Sequence, residues 1–200
     1  MAEYIIRARK APTDPKKFLG AIGAGSHVEY LAQIVVNTLF VSKGHRSDTT
    51  LTLVLEDAKD YSKAITLDGA SLGSIPDMSE SGILLTISNC LKSAIALEKE
   101  ECISLDNGIE VQAISFEHLV KVRLETRSVF LLDKKADDIR DCTLPDDAVF
   151  LLTDHIPMPR KTFKSLRRQG VQNVSLGPVM LHASQCVVLI QNEYDRATIV

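Results

Sequence analysis

The sequence predicts an α/β protein whose sheet is mostly parallel. Three observations point there. Strand-like and helix-like stretches alternate along the 200 residues. Two short runs, SVFLLD at 128–133 and AVFLLTD at 148–154, are apolar almost throughout, as strands covered on both faces are. And 45% of the residues are hydrophobic, enough to bury a sizeable core in one domain spanning 1–200.

Each element has its own signal. EYIIRARK (3–10) reads as the first strand. KKFLGAIGAGSHVEYL follows, with Gly20, Gly23 and Gly25. Its order, G-x-x-G-x-G, is not the dinucleotide fingerprint, and a P-loop Lys-Ser/Thr is missing. Two readings stay open: a flexible loop before a helix, or a loop that lets a substrate backbone approach closely. Residues 26–44 carry Val28, Leu31, Ile34, Val35, Thr38 and Leu39 at helical spacing. Ser26 is the expected N-cap, with Glu29 at the third helical position and Gly44 as the stop. TTLTLVLE, from Thr49, is β-branched and alternating, hence a strand. A second helix is expected from near Ser79, and EKEECISLDNG (98–108) reads as an exposed turn region. After the two apolar strands, PRKTFKSLRRQG forms a short helix with Phe163 and Leu166 apolar and Gly170 as its stop; NVSLG is a last strand. PVMLHASQCVVLIQN is too apolar for a one-sided surface helix. It is expected to start at Pro178 and to be buried in the core or against a partner subunit.

Composition excludes some classes. The formal charge is -3 and the pI about 6.0, which argues against coating nucleic acid by bulk charge but leaves room for a local basic patch. Cys90, Cys102, Cys142 and Cys186 form no C-x-x-C pair, so reduced thiols and no metal site are expected. MAEYIIRARK has no apolar h-region and no uncharged run reaches spanning length. A cytoplasmic protein without a membrane segment is expected.

Open α/β sheets bind ligands beyond the carboxyl ends of their strands. Here those loops carry Asp133-Lys134-Lys135, Thr153-Asp154-His155 and Gly177-Pro178, three polar turns near one sheet edge. Asp154-His155 reads either as a turn pair or as part of a site. His27 and Glu29 read as solvated residues or as proton acceptors. Arg160, Lys161, Lys164, Arg167 and Arg168 give one short helix five positive charges, a solvated face or a phosphate-contacting patch. A second basic group lies at Arg7, Arg9, Lys10, Lys16 and Lys17.

Asp154-His155-Ile156, Ser175-Leu176, Pro178, Leu181-His182-Ala183 and Cys186 together carry a resemblance. The segment from Thr153 to Asn192 resembles the last third of the tRNA pseudouridine-54 N1-methyltransferase family of the SPOUT superfamily. Its archaeal members read G-D-H-I-G and then S-L-S-P-L-E-L-H-A-N-H-C there. Weaker similarity runs through most of the chain, including SVFLLD, NGIEVQAISFEHLV and TTLTLVLE, and points to the bacterial branch. The resemblance implies a SPOUT fold with a deep C-terminal trefoil knot over about 125–200, a rare exception to ordinary chain topology. It implies a homodimer packed through C-terminal helices, and S-adenosylmethionine held in the knot loops. Leu132 and Cys186 would contact the cofactor. Thr153, Asp154, His155, Ser175, Leu176, Gly177 and Leu181 would line its site. The partner would be RNA, either tRNA or rRNA. Where archaeal members read G-R-L-D, this chain has Ser26-His27-Val28-Glu29, so His27 and Glu29 would take the role of handling the target base. Thr153 replaces a Gly, and Pro157 a second Gly. Three readings follow: an RNA methyltransferase acting at N1 of a pseudouridine or on another substrate, a non-catalytic knotted protein that binds cofactor and RNA, and an ordinary doubly wound nucleotide-binding enzyme.

Overall fold

Tyr4, Ile5 and Ile6 have no solvent exposure, so the first strand is covered on both faces and belongs at the middle of a sheet. The structure is a computed structural model that describes residues 2–73, 75 and 77–197. In chain order its elements are β1 (Ala2–Pro12), α1 (Pro15–Gly20), α2 (Glu29–Leu39), β2 (Phe40–Val41), β3 (Gly44–His45), β4 (Thr49–Asp57) and β5 (Lys63–Asp68). There follow α3 (Glu80–Ser93), β6 (Cys102–Ser104), β7 (Ile109–Gln112), α4 (Phe116–Leu124) and β8 (Val129–Leu132). After a 3₁₀ turn at Ile139–Asp141 come β9 (Val149–Thr153), α5 (Arg160–Arg168), β10 (Gln172–Val174) and α6 (Ala183–Ala197).

Eight strands form one sheet in the order β10-β8-β9-β1-β4-β5-β7-β6. From β10 to β4 every pairing is parallel; Tyr4, for example, stands between Leu51 and Phe150. From β4 to β6 the pairings are antiparallel. The mixed sheet with a parallel half is the class the alternation predicts. Strand alternation splits the core in two. Tyr4, Ile6, Leu53 and Phe150 pack under α1, α2, α3 and α6. Ile5, Val54, Val149 and Leu151 pack under α4 and α5. Tyr4, Phe150 and Phe130 stack in a row across the first face, with ring centroids 5.7 and 5.6 Å apart.

Three helix boundaries differ from expectation. The first helix starts at Glu29, and its cap position, Val28, makes no side-chain bond. Ser26 does not cap it. Glu29 reaches back instead to accept the backbone N–H of Gly23, which folds the glycine loop against the helix start; His27 takes a positive φ of 47° in that turn. Nor does the helix run to Gly44. It ends at Leu39, and Phe40-Val41 pairs with Gly44-His45 as a two-stranded hairpin. The last helix begins at Ala183, five residues after Pro178. The Gln185 side chain accepts the N–H of His182, while the His182 carbonyl accepts the N–H groups of Gln185 and Cys186. That reciprocal cap fixes the start, so the residues before it stay as loop. Val179 and Met180 in that loop are exposed, at 69% and 86%. The stretch 98–108 is not only turn: Cys102–Ser104 forms the edge strand of the sheet.

Ala183, Cys186, Val187 and Ile190 set α6 on the sheet face opposite α5. The chain therefore passes from one face to the other in the loop after β10. Buried Gln191 donates to the Thr38 carbonyl at 2.7 Å, and Arg46 forms a forked pair with Asp195, which tie α6 to α2 and the chain beyond it.

Candidate active site

β8, β9 and β10 run parallel, so their carboxyl ends open together at one edge. The loops beyond them enclose a cavity of about 570 Å³, within the range of small-molecule sites. Leu132 ends β8 and Cys186 lies in the first turn of α6; they line the same cavity despite their distance in sequence. Thr153 ends β9, Asp154 and His155 come from the loop after it, and Leu176, Gly177 and Leu181 from the β10 loop. Leu131, Leu151 and Leu152 floor it, with Met158 and Phe163 on the α5 side. Asp133 and Lys134 add two charges to a largely apolar wall that also carries Asp154, His155 and His182.

Each loop is held by a small set of bonds. The Asp133 carboxylate accepts the Lys135 N–H at 3.0 Å and the Asn173 amide at 3.3 Å, tying the β8 loop to β10. Ser175 is buried and stands behind the wall rather than in it. Its hydroxyl accepts the Gly177 N–H at 3.0 Å, and its backbone bonds Asp137 and Ile139 at 2.8 and 2.9 Å. Gly177 has a φ of 106°, which a residue without Cβ adopts without strain, and this bends the loop around the cavity. Burial pushes the Cys186 thiol up to about 11, so at neutral pH it is an uncharged wall residue.

Asp154 is almost wholly enclosed, with its side chain 2% exposed. Burial raises its carboxyl group above the ordinary range, against the opposing pull of the Ile156 N–H, which Asp154 Oδ1 accepts at 3.0 Å. Its Oδ2 lies 3.4 Å from His155 Nδ1. The backbone of the same loop is pinned by Asp154 donating its N–H to the Arg7 carbonyl.

His27 and Glu29 stand outside the wall. The His27 ring is exposed and meets His155 edge-on, with centroids 5.0 Å apart. Glu29 is turned toward Gly23, and hydrogen bonds from its own N–H and then that of Gly23 hold its carboxyl below the usual range. Tyr30, which the sequence does not single out, lies between His155 at 5.7 Å and His182 at 5.5 Å. No spacing rule links these residues; three separate elements bring them together. Arg7 is likewise unlike its sequence neighbours. It is 7% exposed, pairs with Glu56 at 2.9 Å and Glu117 at 2.8 Å, and lies over the Phe116 ring. Its guanidinium also reaches Thr162 Oγ1 at 3.4 Å, so it braces α5 from inside and does not belong to a surface basic group.

The architecture defines an α/β protein with a largely apolar ligand cavity beyond the carboxyl ends of parallel strands. Comparison narrows this. The family described as "Putative SAM-dependent RNA methyltransferase" matches residues 1–199, and the chain belongs to that family. Proteins from Vibrio parahaemolyticus and Shewanella frigidimarina, both named "Putative pseudouridine methyltransferase", are 44% and 43% identical over 195 residues, with 98% of each chain covered. The crystal structure of Archaeoglobus fulgidus Nep1 bound to S-adenosylhomocysteine matches with a TM-score of 0.63 at 12% identity, covering 100% of this chain and 99% of that one. The mixed α/β fold, parallel from β10 to β4, is thus shared with that structure. Among the described residues no helix is long and apolar enough to cross a membrane.

Proposed function

We propose that the protein transfers the methyl group of S-adenosylmethionine to N1 of a pseudouridine in RNA, tRNA being the first candidate. The observation that carries this is the convergence of Leu132, Cys186 and the β9 and β10 loops on one cavity, in a chain matched by the family from end to end. The donor set fits the cofactor. Apolar walls suit an adenosine, while Asp133 and Lys134 suit the ribose and the charged methionine end. Leu132, Cys186, Thr153, Asp154, His155, Leu176, Gly177 and Leu181 would hold it, with Ser175 fixing the loop from behind. Its sulfonium would supply the methyl electrophile and the leaving group together. The chain must then align the base nitrogen and hold water out. Nep1 was solved with S-adenosylhomocysteine, which supports a cavity of this fold taking the demethylated cofactor. We place this activity in the cytoplasm and assign a trefoil knot to about 125–200. Nucleoside mass spectrometry of RNA from cells with and without the gene tests the reading. A methylated pseudouridine is expected in the first and missing from the second; cofactor affinity without transfer to any RNA would favour a binding protein instead.

The same reading includes a homodimer. Val188 and Leu189 on α6 are 44% and 40% exposed, and Val179 and Met180 extend the apolar surface from the cavity loop. A second copy packed on this face would bury it by two-fold contact. Sedimentation at micromolar concentration is expected to show a dimer. A stable monomer would leave α6 as intramolecular core alone.

A further inference from the structure

Three imidazoles and a phenol gather at the cavity mouth. Tyr30 stacks on His182 with an interplanar angle of 22°, while His27 meets His155 at 88°. His155 differs from the other two histidines in having a buried carboxylate beside it. Asp154 Oδ2 stands 3.4 Å from His155 Nδ1, and that nitrogen is shielded from solvent and makes no hydrogen bond among the described residues. Asp154 cannot swing away freely, because its Oδ1 is held by the Ile156 N–H. A carboxylate facing Nδ1 selects the neutral tautomer that carries its proton there. Nε2 is then left with a lone pair.

Resting on the proposed function, we infer that His155 Nε2 accepts the proton of the target base nitrogen, and that Asp154 is the positioning residue that sets its tautomer. The base N–H bond breaks and its proton passes to Nε2. The electron pair left on nitrogen takes the methyl carbon, and the carbon–sulfur pair stays on sulfur. The imidazolium then releases its proton to solvent. Glu29 is the less suitable base: it is turned to Gly23 and lies outside the cavity wall. His27 is exposed and also outside the wall. The charged or titratable groups around His155 are Asp154 on its own loop, His27 and Tyr30 against its ring, His182 beyond Tyr30, and Asp133, Lys134 and Cys186 in the same cavity lining.

Two measurements on the full chain test this. Nitrogen-resolved NMR of the free protein is expected to show neutral His155 protonated at Nδ1. In Asp154→Asn the introduced amide keeps its oxygen on the Ile156 N–H and presents N–H groups to Nδ1, so the tautomer is expected to invert; the same logic governs the orienting Asp of Ser-His-Asp sites. In single-turnover transfer from labelled S-adenosylmethionine to total RNA of cells lacking the gene, His155→Gln is expected to slow the step at saturating cofactor by roughly 10²–10⁴-fold. A wild-type Nε2–H tautomer, or an unchanged rate in His155→Gln, overturns the assignment. No transfer by the wild-type protein overturns the functional reading and this assignment together, and the wild-type control tells the two failures apart.

Discussion

Leu132→Arg is expected to abolish binding of S-adenosylmethionine while leaving the protein folded. Leu132 ends β8 where the strand opens on the cavity, and it shares the wall with Leu152, Leu176 and Cys186. An arginine there can extend into the space of about 570 Å³ without displacing the sheet. It would put a cation where an apolar ligand face must lie. Desolvating that charge costs several kcal/mol when no partner is supplied. A loss of about 3 kcal/mol already lowers affinity by roughly 100-fold. Titration calorimetry measures the affinity and circular dichroism checks the fold. Leu132→Met, which conserves volume and polarity, is the control and should bind within a small factor. Unchanged affinity in a folded Leu132→Arg protein would remove this cavity as the cofactor site.

The cavity was legible in sequence because its parts are local. Each of the apolar runs at 128–133 and 148–154 ends in Asp followed by polar turn residues, and a parallel sheet puts such ends on one side. The pairing of Leu132 with Cys186 came from the family resemblance and not from spacing. Helix starts were misread where a local signal had a competing tertiary use. Ser26 and Glu29 look like a capping box, yet Glu29 is drawn to Gly23. Pro178 looks like a first helical residue, yet Gln185 caps the chain at His182. Tyr30 carries no sequence mark, since its ring partners His155 and His182 arrive from the far end of the chain. Arg7 reads as basic surface because its acid partners, Glu56 and Glu117, lie on β4 and α4. Chain threading leaves no trace in periodicity, so a knot is not readable from pattern at all.

Arg7 also shows how the two sheet faces cooperate at the site. From the middle of β1 its carbonyl accepts the Asp154 N–H, and its guanidinium braces Thr162 on α5. The β9 loop and the basic helix are therefore anchored to the same central strand. That anchoring bears on how RNA could be held next to the cofactor.

Changing Arg160, Lys164 and Arg167 together to Ala is expected to weaken RNA binding by about two orders of magnitude at 0.1 M salt while sparing cofactor affinity. Each lost contact to a single-strand phosphate removes about 0.7 from the slope of log affinity against log salt, so three remove about 2. All three side chains are exposed, and none of the five cations on α5 forms an ion pair among the described residues. The only fully buried side chain of the helix is Leu166, which the substitutions leave in place, so the fold should tolerate them. α5 follows the Asp154-His155 loop directly and presents Phe163 to the cavity, which puts its charges beside the proposed reaction. With a net charge of -3 the chain cannot hold RNA by bulk attraction, so the contacts must be local. Filter binding across a salt series measures both quantities, and calorimetry with the cofactor supplies the control. If slope and affinity do not change, α5 is a solvated face. The footprint would then have to lie at Arg9, Lys10, Lys16 and Lys17, all of them exposed or partly so, without the buried Arg7.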